Sequence, residues 1–244
     1  MWAGAVGSDK MRVMDMATIE AALAREGLIP RGGFQPGAGD GVPPFADGRP
    51  ARTLVMIGNA GPEMWRAFAA SPEHDSAPDP LNRWSERVIG AVAAELGAEA
   101  LFPFGGPPYL PFVAWAKRAD AVAESPLGIL IHPDYGLWHA YRGALVFAEA
   151  VDLAPRDQRP RPCDTCAERP CLSACPVGAF TETGYDVAAC TGHISAPAGI
   201  DCMERACGAR RACPVGRGYI YEPAQARFHM EHFLAARRRA GAAA

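Results

Sequence analysis

The pattern of apolar positions predicts a mixed helix and strand domain before residue 155. The segment 53–57 (Thr-Leu-Val-Met-Ile) is almost continuously apolar, which is typical of a strand buried on both faces. Asp79 and Pro80 favour a helix start, and Gly97 favours its end after Leu96. The apolar positions between them recur at helical spacing, and they are Leu81, Trp84, Val88, Ala91 and Val92.

Weaker patterns predict the remaining elements. The predicted helices are 18–26, 62–70, 112–118 and 222–239, and the further strands are 100–104, 128–132 and 138–147. Pro133-Asp-Tyr-Gly136 joins the last two strands, so we expect an antiparallel hairpin there. Residues 31–50 are rich in Gly and Pro, and we expect a loop.

A proline-rich stretch, Pro155 to Pro162, is typical of an extended linker. The following residues, 163–217, have few large apolar side chains, so metal binding would have to organise them. We therefore expect a domain over residues 1–155, a metal-organised segment over 156–221 and a C-terminal helix over 222–244.

Eight cysteines lie between residues 163 and 213, and none precedes them. The first group is Cys163, Cys166, Cys171 and Cys175, and the second is Cys190, Cys202, Cys207 and Cys213. Each group ends in Cys-Pro-Val-Gly, close to the bacterial ferredoxin run. Thiolates at this density select iron–sulfur clusters or zinc. Two groups of four suffice for two 4Fe–4S clusters, so the chain is predicted to move electrons.

Two other uses of these cysteines are weighed against clusters. A disulfide framework suits small secreted domains, but Met1 to Met16 contains four charged residues and no apolar leader. Zinc sites usually combine short Cys-x2-Cys pairs or mix Cys with His, whereas this chain has one Cys-x2-Cys. Four residues separate Cys166 from Cys171, whereas two separate the corresponding cysteines of the bacterial ferredoxin run. The sequence therefore predicts the presence of clusters more firmly than their type.

The interlocked spacing also predicts which cysteines share a cluster. In the ferredoxin run, three closely spaced thiolates bind one cluster and the fourth, before a proline, binds the other. Cys213 would then join Cys163, Cys166 and Cys171. Cys175 would join the other three cysteines of the second group.

Composition narrows the classes of partner. The 244 residues are 49% hydrophobic, and no apolar run reaches the length of about 18 residues that a membrane helix needs. The net charge of −3 predicts neither a nucleic-acid partner nor an anionic membrane. We expect a cytoplasmic protein with a redox partner protein as electron donor or acceptor.

Two segments resemble known families. The cysteine segment resembles the dicluster ferredoxin domain of epoxyqueuosine reductases and corrinoid reductive dehalogenases. The segment from His132 to Gly143 (His-Pro-Asp-Tyr-Gly-Leu-Trp-His-Ala-Tyr-Arg-Gly) looks like a hairpin of the cblC-type cobalamin-processing protein, with weaker similarity around Asn59 to Trp65. The resemblance implies an α+β, nitroreductase-like fold that binds cobalamin or, in distant relatives, flavin, with the clusters facing that cofactor.

The resemblance directs attention to six cofactor-binding candidates: His132, Tyr135, Trp138, Arg142, Gly105 and Gly106. Trp138 would supply a flat apolar face, Arg142 could bind an amide or an anion, and the glycine pair would let backbone approach a planar ligand. Each also has a structural interpretation. Histidines in hairpins often bond to backbone, and Gly-Gly before Pro-Pro is often only a turn.

The leading hypothesis is an electron-transfer protein in which two 4Fe–4S clusters serve a corrinoid bound on the first domain. Two alternatives remain open from the sequence: a corrinoid-dependent reductase, and a chaperone that reduces cobalamin for delivery. Whether the protein is an enzyme is left undecided by the residues, because no nucleophile–base pair or hydrolase motif is present.

Overall fold

The computed structural model describes residues 14–181 and 184–242. Its strands are β1 Ile29–Phe34, β2 Thr53–Ala60, β3 Glu99–Leu101, β4 Ala123–Glu124, β5 Leu130–Ile131, β6 His139–Phe147, β7 Phe180–Thr181 and β8 Gly184–Tyr185. Its α-helices are α1 Met16–Ala24, α2 Glu63–Ala69, α3 Pro80–Leu96, α4 Phe112–Ala119, α5 Pro170–Ser173, α6 Val187–Ser195, α7 Ile200–Arg205, α8 Gly208–Ala212 and α9 Pro223–Ala242. Residues 1–13 of the predicted first domain lie outside the described residues.

Within the described residues, four strands form one antiparallel sheet in the order β1-β2-β6-β3. Helices cover both of its faces: α1, α2 and α3 pack on one, and α4 packs on the other. On β2, Val55 and Ile57 face the first layer, and Leu54 and Met56 face the second, because strand side chains alternate. This double burial explains the nearly continuous apolar run. The α+β class expected from the resemblance is confirmed.

The long helix is also confirmed. α3 begins directly after Asp79 and ends before Gly97, which adopts the left-handed φ of +66° that favours glycine after a helix. Trp84, in the second turn of α3, is fully buried and makes an edge contact with Phe68. Ala91, expected on the buried face, is exposed.

The predicted hairpin of 128–132 and 138–147 is wrong in its pairing. A turn closed by Gly128, at φ +73°, folds β5 back onto β4. β6 instead uses its two edges for β2 and β3. A single bridge between His132 and Gly136 is the part of the expected hairpin that forms.

The expected loop over residues 31–50 is partly wrong, because β1 extends into it. β1 contains Pro30 and two glycines, and its pairing with β2 shifts register between Pro30 and Gly33. Gly32 has a φ of +74°, and a Cβ there would lie 2.2 Å from the Ala119 carbonyl oxygen at the end of α4. Tertiary contacts therefore form a strand that local preference opposes.

The cysteine segment packs against the α+β domain and shares its apolar side chains. Leu127, Ile131 and Leu137 lie in one cluster with Cys213 and Phe180. Backbone meets backbone beside this cluster: a Cβ on Gly216 would lie 2.2 Å from the Tyr135 carbonyl oxygen. The segment is therefore anchored by close main-chain contact as well as by apolar packing.

The final helix returns across both parts of the molecule. Near its start, the ring of Phe228 lies 5.3 Å from the rings of both Trp65 and Phe68. Further along, Leu234 packs against Ile194 and Cys202. Within residues 14–181 and 184–242, no helix is both long enough and apolar enough to cross a lipid bilayer.

Candidate metal centre and adjoining cleft

The eight cysteines lie in turns and short helices, mostly half-buried, and all carry free thiols. Cys163 lies in the 3-10 turn Pro162–Asp164, Cys171 in α5, Cys190 in α6 and Cys202 in α7, while Cys207 and Cys213 flank α8. That metal binding organises these short elements stays a prediction.

Three cysteines of the first group meet the last cysteine of the second. Cys163, Cys166, Cys171 and Cys213 line one small cleft, with Ile131 of the α+β domain at its wall. Burial raises the pKa of the Cys163, Cys171 and Cys213 thiols, and neighbouring cysteines raise it further. This set is the one that the interlocked spacing predicts for one cluster.

The other four cysteines, Cys175, Cys190, Cys202 and Cys207, lie close enough for their charges to affect one another. Burial raises the pKa of Cys190, and the charges of Cys175 and Cys202 add to that effect. Burial likewise raises the pKa of Cys207, which is close enough to Cys202 and Cys190 for their charges to contribute. Each set of four is thus brought together by the fold, across the two groups of the sequence.

Hydrogen bonds to sulfur accompany both sets. The Ala179 N–H donates to Cys175 Sγ at 3.3 Å, and the Val215 N–H donates to the Cys213 thiol. The Tyr185 hydroxyl donates to the thiol of Cys190. Such bonds stabilise negative charge on cluster sulfur and help to set reduction potentials. Tyr185 was not predicted from the sequence, since a tyrosine five residues before a cysteine has no distinctive signature.

Among the described residues, no three His, Cys, Asp or Glu side chains are grouped closely enough to hold one metal ion. A zinc ion would hold four thiolates about 3.8 Å apart, given a Zn–S distance of about 2.3 Å. A cubane would hold its thiolates further apart, because each thiolate binds a different iron.

A larger cleft of about 610 Å³ opens beside the cysteine segment. One wall comes from the β4–β5 turn and the start of β6, and Val113 of α4 lies at its edge. The opposite wall comes from the C-terminal part of the chain, with Arg210, Tyr221 and His229. The volume lies in the usual range for a small-molecule site, about 300–1,000 Å³.

One layer of residues separates this cleft from the cysteines. Leu137 lines the cleft and also packs in the apolar cluster that contains Cys207 and Cys213. Arg210 lies in α8 between these two cysteines, and its Nε donates to the Leu137 carbonyl oxygen at 3.0 Å. A cofactor in the cleft would therefore lie next to the thiols.

Two imidazoles, each with a buried ring nitrogen, line the cleft. His139 Nε2 donates to the Leu130 carbonyl oxygen at 3.1 Å, which leaves Nδ1 as an acceptor without a partner among the described residues. The buried Nε2 of His229 likewise has no partner there. Burial lowers the pKa of each histidine to about 3. Both rings are therefore neutral at physiological pH and keep unused hydrogen-bonding capacity.

The six predicted cofactor residues are not gathered into one cleft. The His132 and Tyr135 rings stack at 4.2 Å, and His132 Nδ1 accepts the Asp134 N–H at 3.0 Å, as in the structural interpretation. Tyr135 lines a different surface cleft with Tyr219. Gly106 belongs to its own turn, because a Cβ there would lie 2.6 Å from the backbone of Pro108.

Trp138 and Arg142 lie deeper than expected. Trp138 is 1% exposed and packs against Tyr221 at 5.4 Å. Arg142 donates to Ser85 Oγ at 3.0 Å and to two further oxygens of α3. Burial lowers the pKa of Arg142 to about 10. These two side chains support the wall behind the cleft, and their role toward a cofactor stays a prediction.

A buried polar network behind the cleft was not predicted from the sequence. Arg31 Nη2 lies 2.7 Å from Asp120 Oδ2. Tyr141 lines the cleft, and its hydroxyl donates to the same Asp120 oxygen at 2.7 Å. Burial alone would raise the pKa of Asp120, but hydrogen bonds from His132 and Tyr141 and the charge of Arg31 hold it well below its usual range. No local signal links positions so far apart in sequence.

No protein-family model and no curated protein matches the chain. Solved structures with similar folds include epoxyqueuosine reductase from Streptococcus thermophilus, at 18% identity and a TM-score of 0.44 over 70% of this chain and 51% of that one. This chain thus spans about half the length of that enzyme. Epoxyqueuosine reductase with a tRNA-Tyr stem loop matches at 15% identity and a TM-score of 0.41, covering 84% of this chain and 66% of that one.

That enzyme is seen with RNA, and the expected absence of a nucleic-acid partner for this chain stays a prediction. The Caenorhabditis elegans B12-trafficking protein CblC, a homologue of human MMACHC, matches over 88% of this chain and 89% of its own length. The identity is 14% and the TM-score is 0.50. At this identity the likeness shows the fold, and the chain therefore shares the α+β fold of CblC.

Proposed function

We propose that this protein is an electron-transfer protein that carries two 4Fe–4S clusters and passes electrons to a corrinoid bound in the 610 Å³ cleft. The observation that supports this proposal is that the fold brings the eight cysteines together in two sets of four, next to that cleft. The first set is Cys163, Cys166, Cys171 and Cys213, and the second is Cys175, Cys190, Cys202 and Cys207. The clusters supply one-electron reduction when bound.

The proximity of cleft and thiols supports electron transfer between them. Leu137 belongs to both, and Arg210 is three residues from Cys207 and from Cys213. An apolar layer of one residue excludes water while keeping donor and acceptor close. The clusters and the cleft would therefore work as one unit.

The cleft has features that suit a large, mostly apolar ligand with polar edges. Val113 is 59% exposed and Ile129 is 42% exposed at its rim. Val113 also borders an adjoining cleft with Pro103 and Leu110, which flank the Gly105-Gly106 loop. Exposed apolar groups at the mouth of a pocket are more common at binding sites than elsewhere. CblC is a B12-trafficking protein, which makes a corrinoid the leading candidate and a flavin the alternative.

Cleft variants are expected to weaken corrinoid binding without loss of iron. Val113→Asp and Ile129→Asp should each raise the Kd for cob(II)alamin about 10-fold or more, because burying such a side chain is worth about 1.5–3 kcal/mol. Anaerobic titration, followed by the corrinoid absorption spectrum, measures this. Both side chains are exposed, so the fold should tolerate the change.

Ile200→Asp is the matched control, since Ile200 is also 59% exposed and does not line the cleft. It should bind cob(II)alamin as the unaltered protein does. No spectral change at high micromolar protein, or equal Kd values in all four proteins, would contradict corrinoid binding in this cleft. A change with a flavin in place of the corrinoid would assign the cleft to flavin.

A second candidate function is a corrinoid-dependent reductase, favoured by the two neutral imidazoles of the cleft. His139 and His229 have pKa values lowered to about 3, so each can accept a hydrogen bond from a substrate group. Substrate turnover dependent on His229 would support the reductase. Reduction of a bound corrinoid without turnover, followed by its release to an acceptor protein, would support the chaperone.

A further inference from the structure

The C-terminal end of α9 presents three consecutive arginines. Arg237, Arg238 and Arg239 are all exposed, and none of them forms an ion pair with a described residue. Three other arginines of the C-terminal part have acidic partners: Arg205 and Arg211 pair with Asp201, and Arg227 pairs with Glu204. The run is therefore a local excess of positive charge on a chain whose net charge is −3.

This arginine run lies beside the second set of cysteines. Arg238 Nη2 donates to Ser195 Oγ, at the end of α6, at 3.3 Å. Cys190 lies in the same helix, five residues before Ser195. The basic end of α9 is therefore in direct contact with the helix that carries one cysteine of this set.

An exposed apolar residue, Ile200, follows this end of α6 at the start of α7. The 3-10 turn Pro197–Gly199 follows Ser195 and leads directly to Ile200, which is 59% exposed. Ile200 lies two residues before Cys202 of the same set. Arginine beside exposed apolar surface is the usual composition of a docking site for a protein of opposite charge.

We propose that the basic C-terminal end of α9 (Arg237, Arg238 and Arg239), together with Ser195 and Ile200, docks a small acidic electron-carrier protein that reduces the cluster of Cys175, Cys190, Cys202 and Cys207. This rests on the proposed function. The partner's centre loses one electron, the cluster gains one, and no bond forms or breaks. The acidic carrier follows from charge complementarity, and the entry point follows from the contact of Arg238 with α6, the helix that contains Cys190.

Stabilisation of the helix dipole is the structural role that these arginines could have instead. That role predicts a small change in stability and no effect on the rate of reduction. The docking role predicts a slower reduction of the clusters and no change in stability. The two are separated by measuring both quantities on the same variant.

The test uses the full chain with its clusters, reduced in stopped flow by an acidic flavodoxin in its hydroquinone form. The triple variant Arg237→Glu, Arg238→Glu, Arg239→Glu should lower the second-order rate at low ionic strength at least 10-fold, because steering contributes about 10- to 1,000-fold. The unaltered protein should slow as salt is added, and the variant should lose that dependence. If this variant does not fold, the three Arg→Gln changes give the same comparison.

A charge-matched control carries Arg25→Glu, Arg49→Glu and Arg52→Glu, which are exposed positions of the α+β domain. It should keep the salt-dependent rate. Equal flavodoxin rates in the unaltered protein and the α9 variant would overturn the proposal, as would tight binding of an RNA stem loop that the variant loses while its reduction rate is unchanged. Photoreduced deazaflavin, a small neutral reductant, should bleach the clusters of all proteins alike. A protein without bleaching would instead contradict the proposed function.

Discussion

Replacing Cys213 by alanine is expected to remove the cluster bound by Cys163, Cys166 and Cys171. The cluster bound by Cys190, Cys202 and Cys207, which are nearer to Cys213 in sequence, should remain. Cys213 is 7% exposed and lines the same cleft as these three. Iron should fall from about eight to about four per chain, since each cubane holds four irons. The remaining signal should belong to the cluster of Cys175, Cys190, Cys202 and Cys207.

Electron paramagnetic resonance of the reduced proteins identifies which cluster is lost. The spectrum of Cys213→Ala should match that of Cys163→Ala and differ from that of Cys202→Ala. Cys175→Ala should show the converse. If Cys213→Ala instead matches Cys202→Ala, each cluster is bound by its own sequence group, and the crossed pairing is wrong.

The change Gly216→Ala is expected to loosen the cysteine segment from the α+β domain. Its Cβ would lie 2.2 Å from the Tyr135 carbonyl oxygen and 2.5 Å from the Gly136 nitrogen, and these are backbone atoms that cannot rotate away. Overpacking adds to the strain of a positive φ, for about 2–4 kcal/mol in all. The anaerobic thermal midpoint should fall by about 5–15 °C, and the cluster that includes Cys213 should lose iron first.

Gly178 provides an unusually close control. It ends the other Cys-Pro-Val-Gly sequence and has a φ of +61°, against +73° for Gly216, but a Cβ there meets no atom within 4 Å. Gly178→Ala should therefore cost about 1 kcal/mol from backbone strain alone. Similar midpoints for the two variants would mean that the contact of Gly216 with Tyr135 does not hold the two parts together.

Local sequence was sufficient to predict an element when that element contains its own start signal, stop signal and pattern of buried positions. α3 has a proline at its start, a glycine after its end and an apolar stripe between them. β1 was missed because Pro30 and two glycines disfavour a strand, and pairing with β2 decides its conformation. The hairpin was assigned to the wrong partner because the turn at Gly128 pairs β5 with β4, and both edges of β6 are taken by β2 and β3.

The candidate site divides in the same way. Cysteine chemistry could be predicted from type and spacing, since thiolates select their metals without help from the fold. The cleft could not be predicted, because Arg210, Tyr221 and His229 meet the start of β6 only when α9 folds back over the domain. Trp138 packs on Tyr221 and Arg142 bonds to α3, contacts that local sequence does not specify, and their expected role at a cofactor edge stays a prediction.

Anaerobic measurement of iron, acid-labile sulfide and zinc tests the central claim most directly. Two clusters predict about eight irons and eight sulfides per chain, with little zinc. The measurement must be anaerobic, because exposed clusters lose iron in air. Stoichiometric zinc without sulfide would contradict the account.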